Sequence, residues 1–95
     1  MTILRIEHAV SDFDTWKAAF DSDPAGRRQT GVRRYRIMRP VDDPHYVMID
    51  LEFDSTTGAE ALLDGMRQVW RRVDGTLIVD PRAQIVEPVE TAELQ

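Results

Sequence analysis

The sequence predicts an α+β plait: four antiparallel strands with two helices packed on one face. Three observations carry this reading. An alternating apolar strand runs straight into a Trp-bearing helix, a strand–turn–strand pair surrounds two prolines, and a second amphipathic stretch precedes a last strand. With 95 residues, 42% of them hydrophobic, the chain forms a single domain around one modest core.

Thr2 to Val10 reads as the first strand, with Leu4, Ile6, His8 and Val10 on one face and Arg5 and Glu7 on the other. Ser11 is the expected N-cap of the first helix, with Asp14 three residues on as an acidic variant of the capping box. Phe13, Trp16, Ala19 and Phe20 make its apolar stripe. Asp23-Pro24 interrupts or restarts this helix, and Gly31 is a natural stop. Val32 to about Arg39 is the second strand. Pro40 to Pro44 is turn chemistry, so His45 to Phe53 returns antiparallel.

Thr57-Gly58-Ala59-Glu60 reads as a second capping box, followed at helical spacing by Ala59, Leu62, Leu63, Met66, Trp70 and Val73. Asp64-Gly65 is expected to kink or split that helix. A loop through Gly75 reaches Asp80-Pro81, and Ala83 to Val89 forms the fourth strand. Pro88 demotes it to a sheet edge. Glu90 to Gln95 is expected to fray. Strand–helix–strand–strand–helix–strand is the ferredoxin-like order.

Composition narrows the function. A net charge of −5 argues against a general affinity for nucleic acid or anionic membranes. With no cysteine, the chain has no disulfide, thiolate metal site or thiol nucleophile. A leader of basic then apolar residues and a spanning apolar run are both missing, so a cytoplasmic location is expected. Arg27, Arg28, Arg33, Arg34, Arg36 and Arg39 cluster without an acid among them, a pattern that could form an anion site. Strand alternation, however, sends the later ones to different faces, as in an ordinary charged surface.

The opening His8-Ala9-Val10-Ser11-Asp12-Phe13-Asp14-Thr15-Trp16-Lys17-Ala18-Ala19-Phe20 resembles that of small proteins in the dimeric α/β-barrel superfamily, the group named for antibiotic-biosynthesis monooxygenases. Gly31 to Arg36, the Asp42-Asp43-Pro44 turn and Leu51 to Asp54 extend the resemblance over nearly the whole chain. None of these segments is catalytic. The resemblance implies a homodimer in which two sheets join into one barrel. The open sheet face would then be the interface, carrying Arg5, Glu7, Arg34, Arg36, Tyr46, Met48, Asp50 and Glu52, with Ile3 and Val32. Arg34 or Arg36 of one copy is expected to meet Asp50 or Glu52 of the other.

The resemblance also implies a ligand pocket between sheet and helices. Candidates for it are Trp16, Tyr35, His45, Met66 and Trp70, with His8 as the candidate catalytic base. Their plainer roles are core filling for the tryptophans and Met66, and a core-edge histidine bonded to backbone or to Asp12 for His8. His8 and His45 are expected at one end of the sheet, on the helix side. Haem-degrading members use an Asn-Trp-His set, and this chain has no asparagine. No metal-ligand spacing, phosphate loop or dinucleotide fingerprint is present, so no cofactor is expected. Three functions remain open. One is an oxygenase, isomerase or cyclase acting on an aromatic or polyketide-like compound; the others are a non-catalytic ligand-binding dimer and a purely structural dimer.

Overall fold

The computed structural model describes residues 1–95. The elements are β1 (Thr2–Val10), α1 (Phe13–Asp21), β2 (Val32–Met38), β3 (Tyr46–Phe53), α2 (Thr56–Val73) and β4 (Ile78–Val86). The strands form one antiparallel sheet in the order β2-β3-β1-β4, the ferredoxin-like plait. At its centre the register sets Leu4 opposite Leu51, Ile6 opposite Ile49 and His8 opposite Val47. All six are buried, together with Trp16, Phe20, Ala59, Leu62, Leu63 and Trp70 from the helices. No helix is long and apolar enough to cross a membrane.

Several local details differ from the sequence reading. The N-cap of α1 is Asp12, not Ser11: its carboxylate accepts from the Thr15 backbone N–H at 2.9 Å and from the Thr15 hydroxyl at 2.7 Å. Those bonds hold its pKa below the usual carboxylate range. Ser11 is still tied to the sheet edge, donating from its backbone to Leu77 O at 3.1 Å. Asp23-Pro24 does not restart a helix. Asp23 sits in the left-handed region at φ +56 and Gly26 at φ +75, so residues 22–31 form successive turns.

α2 begins earlier than its expected box, with Ser55 as the extended cap, and runs unbroken through Asp64-Gly65. Gly65 serves close packing rather than a kink, since a Cβ there would lie 3.3 Å from the Ala25 Cβ. β4 also starts earlier and takes in Asp80-Pro81. Asp80 at φ +56 and a register shift between Glu7 and Ala9 mark a bulge, which accommodates a proline within an edge strand. Pro88, expected inside the strand, lies beyond it. Val32 is the other correction. A register shift between Val32 and Arg34 turns it to Phe53's side, where it packs on the core instead of the open face.

The start of α2 docks on the turn before β2. A Cβ on Gly58 would lie 2.5 Å from the Thr30 carbonyl oxygen and 3.0 Å from the Phe53 ring. Overpacking of this kind costs about 1–3 kcal/mol, which exceeds the helix-propensity gain of at most about 1 kcal/mol from alanine. Gly58→Ala should therefore lower the urea midpoint, and by more than Gly65→Ala, whose Cβ would meet the Ala25 Cβ at 3.3 Å and its carbonyl oxygen only at 3.5 Å. A Gly58→Ala protein as stable as wild type would show that this docking is not tight.

Candidate functional site

The buried side of α1 is aromatic. Phe13, Trp16 and Phe20 follow one another at helical spacing, with ring centres 5.7 Å and then 5.2 Å apart. His8 extends this row onto β1, edge-on to Trp16 at 5.8 Å, and Tyr35 extends it onto β2, edge-on to Phe20 at 5.3 Å. Rings of this bulk hold the α1 backbone off the sheet. The backbone of α2, with Gly58 and Ala59 in its first turn, lies close to β1, β3 and β4. A wedge remains between the two helices.

That wedge is an apolar cleft of about 50 Å³, partly open to solvent. Trp16, Ala19 and Phe20 form one wall, Met66, Val69 and Trp70 the other, and Leu51 and Ile78 the floor. The third side is the turn carrying Asp23, Ala25 and Arg27. Of the candidates from the sequence, Trp16, Met66 and Trp70 therefore line the cleft. Tyr35 stands at its rim, 44% exposed, with the Arg27 guanidinium 5.0 Å from its ring. Asp23 is not among the sequence candidates, and Arg27 appears there only within the arginine cluster, because this stretch reads as a helix restart. The Pro24-Ala25-Gly26 turn chemistry was the available signal.

His8 meets the cleft only through Trp16. It is 1% exposed, and its Nδ1 lies 3.0 Å from the Ala9 carbonyl oxygen. A carbonyl can only accept, so Nδ1 carries the proton and Nε2 is left unprotonated, with no partner in the chain. Burial lowers the pKa of His8, and the Ala9 carbonyl and the Asp74 charge offset this only in part. His45 lies at the same end of the sheet, its carbonyl accepting from Val10 N at 2.8 Å, but its side chain is exposed. No hydrogen bond joins the two rings. The charge acting on His8 is Asp74, while His45 acts on Asp12. No group of three or more histidine or acidic side chains is arranged to hold a metal ion.

The open face of the sheet carries its own network. Arg5 binds Asp50 with two hydrogen bonds of 2.8 and 2.9 Å, and Arg36 approaches the same carboxylate at 3.8 Å. Arg34 pairs with Glu52 at 2.9 Å, and the Tyr46 hydroxyl donates to Glu7 at 2.8 Å. Arg34, Arg36, Asp50 and Glu52 are thus paired along one sheet. The Arg5 hydrogen bonds outweigh burial and hold the Asp50 carboxyl below its ordinary range.

The two shifts give separate pH windows. His8 is neutral when folded, but in the unfolded chain it takes up a proton below about pH 6.5. Stability should therefore fall as the pH drops from that value towards the lowered folded pKa of His8. Asp50 contributes stability above about pH 4, which is lost as the pH falls through its depressed folded value. Urea unfolding of His8→Gln between pH 7.5 and 5 should be flatter than that of wild type. Parallel curves would mean that His8 is not held neutral.

No protein-family model and no curated protein matches the chain. Solved structures do. A proposed antibiotic biosynthesis monooxygenase from Deinococcus radiodurans is similar over 100% of this chain and 99% of its own, at 16% identity and a TM-score of 0.75. SnoaB, a cofactor-independent oxygenase from Streptomyces nogalater, is similar over 95% of this chain and 94% of its own, at 10% identity and a TM-score of 0.71. A dimeric ferredoxin-like protein from an uncultured marine organism is similar over 99% of this chain and 100% of its own, at 9% identity and a TM-score of 0.62. At such identities the likeness shows the fold: this chain has the four-stranded, two-helix fold of the antibiotic biosynthesis monooxygenase proteins.

Proposed function

We propose that this protein binds a small, flat, largely apolar compound in the cleft between α1 and α2, and that two copies pair through their open sheet faces. The cleft itself carries the reading. Protein interiors are close-packed, and an unfilled apolar space of about 50 Å³ forfeits about 1 kcal/mol of packing. A larger residue at Ala19 or Ala25 would close it. Two indoles and a flexible methionine line it instead, a surface suited to a planar ring system. A ligand larger than the present space enters by displacing Met66 or the 22–31 turns.

Catalysis is the second reading, favoured by one observation: a neutral imidazole with a free Nε2 lies behind the Trp16 wall. As a general base, His8 would take a proton from an aromatic or polyketide-like substrate once the indole swings aside. The likeness to a cofactor-independent oxygenase supports oxidation as the class of reaction, with an isomerase or cyclase using the same base. Ligand binding stands without this step, as a non-catalytic function.

For pairing, support comes from the likeness to a dimeric ferredoxin-like protein and from the face itself. Its charges are already balanced within the chain, leaving Ile3, Tyr46 and Met48 half-buried around them. An isologous interface needs a self-complementary patch of this kind.

Two experiments test these proposals. Titration with 1-naphthol should quench tryptophan fluorescence in wild type, and Ala19→Leu, which fills the cleft with a good helix former, should abolish the effect without lowering stability. Equal quenching in both would place the ligand elsewhere. Light scattering at micromolar concentration should give about twice 10.9 kDa for wild type, and Met48→Lys should halve that mass. A wild-type monomer, or a Met48→Lys dimer, would sink the sheet-face interface.

A further inference from the structure

Arg27 is the one polar fixture of the cleft whose bonding is incomplete. Its Nη1 is buried and has no hydrogen-bond partner. Buried guanidinium donors are otherwise paired, since an unmet charged donor is costly. The orphan is not a flexible end that has strayed inward. The guanidinium lies 4.0 Å above the Phe20 ring and 5.0 Å from the Tyr35 ring, a stacked position that fixes its plane.

Asp23 completes the arrangement. Its left-handed backbone, φ +56, points one carboxylate oxygen at both nitrogens of Arg27 nearest the main chain. Oδ1 accepts from the Arg27 backbone N–H at 2.7 Å and from Nε at 3.1 Å. The carboxylate therefore holds the Nε side of the guanidinium and leaves Nη1 free. Arg27 and Asp23 both line the cleft, whose remaining lining is almost entirely apolar.

We infer that Arg27 is the anion-recognition residue of the cleft, and that its ligand is a flat apolar compound carrying a carboxylate or an ionised hydroxyl. The inference rests on the cleft being the ligand site and adds the class of compound it selects. Nη1 donates to the anionic oxygen while the Phe20 and Tyr35 rings keep the guanidinium in plane. Asp23 stays on the Nε side, and because Nη1 is closed to solvent in the packed cleft, the ligand reaches it by shifting the 22–31 turns, completing the set of bonds without displacing a partner. Among the six clustered arginines, only Arg27 lines this cleft.

Three probes of one shape separate charge from fit: 1-naphthoate, 1-naphthol and 1-naphthylmethylammonium. Calorimetry at neutral pH should show wild type binding naphthoate more tightly than naphthol by about tenfold or more, with the ammonium weakest. Arg27→Gln should erase the preference, losing naphthoate affinity by that factor while naphthol changes little. Arg28→Gln, at an exposed side chain outside the cleft, should leave both affinities unchanged. If Arg27→Gln does not fold, the wild-type order alone decides, because an apolar cleft without an anion site binds neutral naphthol more tightly than naphthoate, whose charge must be desolvated. Naphthol bound with no preference for naphthoate would overturn the inference and leave the cleft reading standing. Wild type that binds none of the three would overturn both.

Discussion

The register between the two central strands is the constraint on which the rest depends. With Leu4 against Leu51, Ile6 against Ile49 and His8 against Val47, the fully buried side chains of β1 and β3 share the face that meets the helices. Side chains alternate with a period of two, so a slip of one residue would put Arg5 and Asp50 in the core and leave Ile6 in water. The bidentate Arg5–Asp50 pair also resists such a slip, because it forms only in the observed register. Asp50 is 4% exposed on a face without helices, covered by the arginine that neutralises it. That geometry satisfies a buried carboxylate where an unpaired one would be strongly destabilising.

From this platform the two helices differ in how they dock. Small residues at the start of α2 let its backbone lie against the sheet and the Thr30 carbonyl. The rings of α1 prop it away from the same surface. A cleft follows from that mismatch in side-chain size. It is held open on the third side by a turn whose shape depends on Asp23 and Gly26 being left-handed. The cleft is therefore a consequence of helix packing, and its two charged side chains, Asp23 and Arg27, come from the connection rather than from a helix or strand.

The sheet and its two faces were legible in the sequence because alternation is local: each of Leu4, Ile6, Val47 and Ile49 declares its face through its neighbours at two-residue spacing. The aromatic stripe of α1 was legible for the same reason at helical spacing. The β4 bulge at Asp80-Pro81 was not, nor was the inward turn of Val32, since both arise where strand pairing slips against a partner remote in sequence. The cleft was half legible. Trp16, Met66 and Trp70 belong to periodic helices, whereas Arg27 reaches the site through a turn that no periodicity describes. Tyr35 contacts Phe20 of α1, but β2 is an edge strand and leaves its side chain exposed, outside the cleft lining.

Trp16 decides whether this cleft can be more than a binding site. Its indole touches His8 on one side, Phe13 and Phe20 along α1, and the cleft on the other. As packed, it stands between His8 and the cleft, which His8 does not line. Swinging the indole would break its contacts with both phenylalanines, and only ligand contacts of comparable size could offset that loss. On the proposed reading, a compound that fills the cleft beneath Trp16 would be held without reaction. Only one that took the place of the indole would reach His8 from the cleft. The packing of a single side chain thus separates the cleft from the buried histidine.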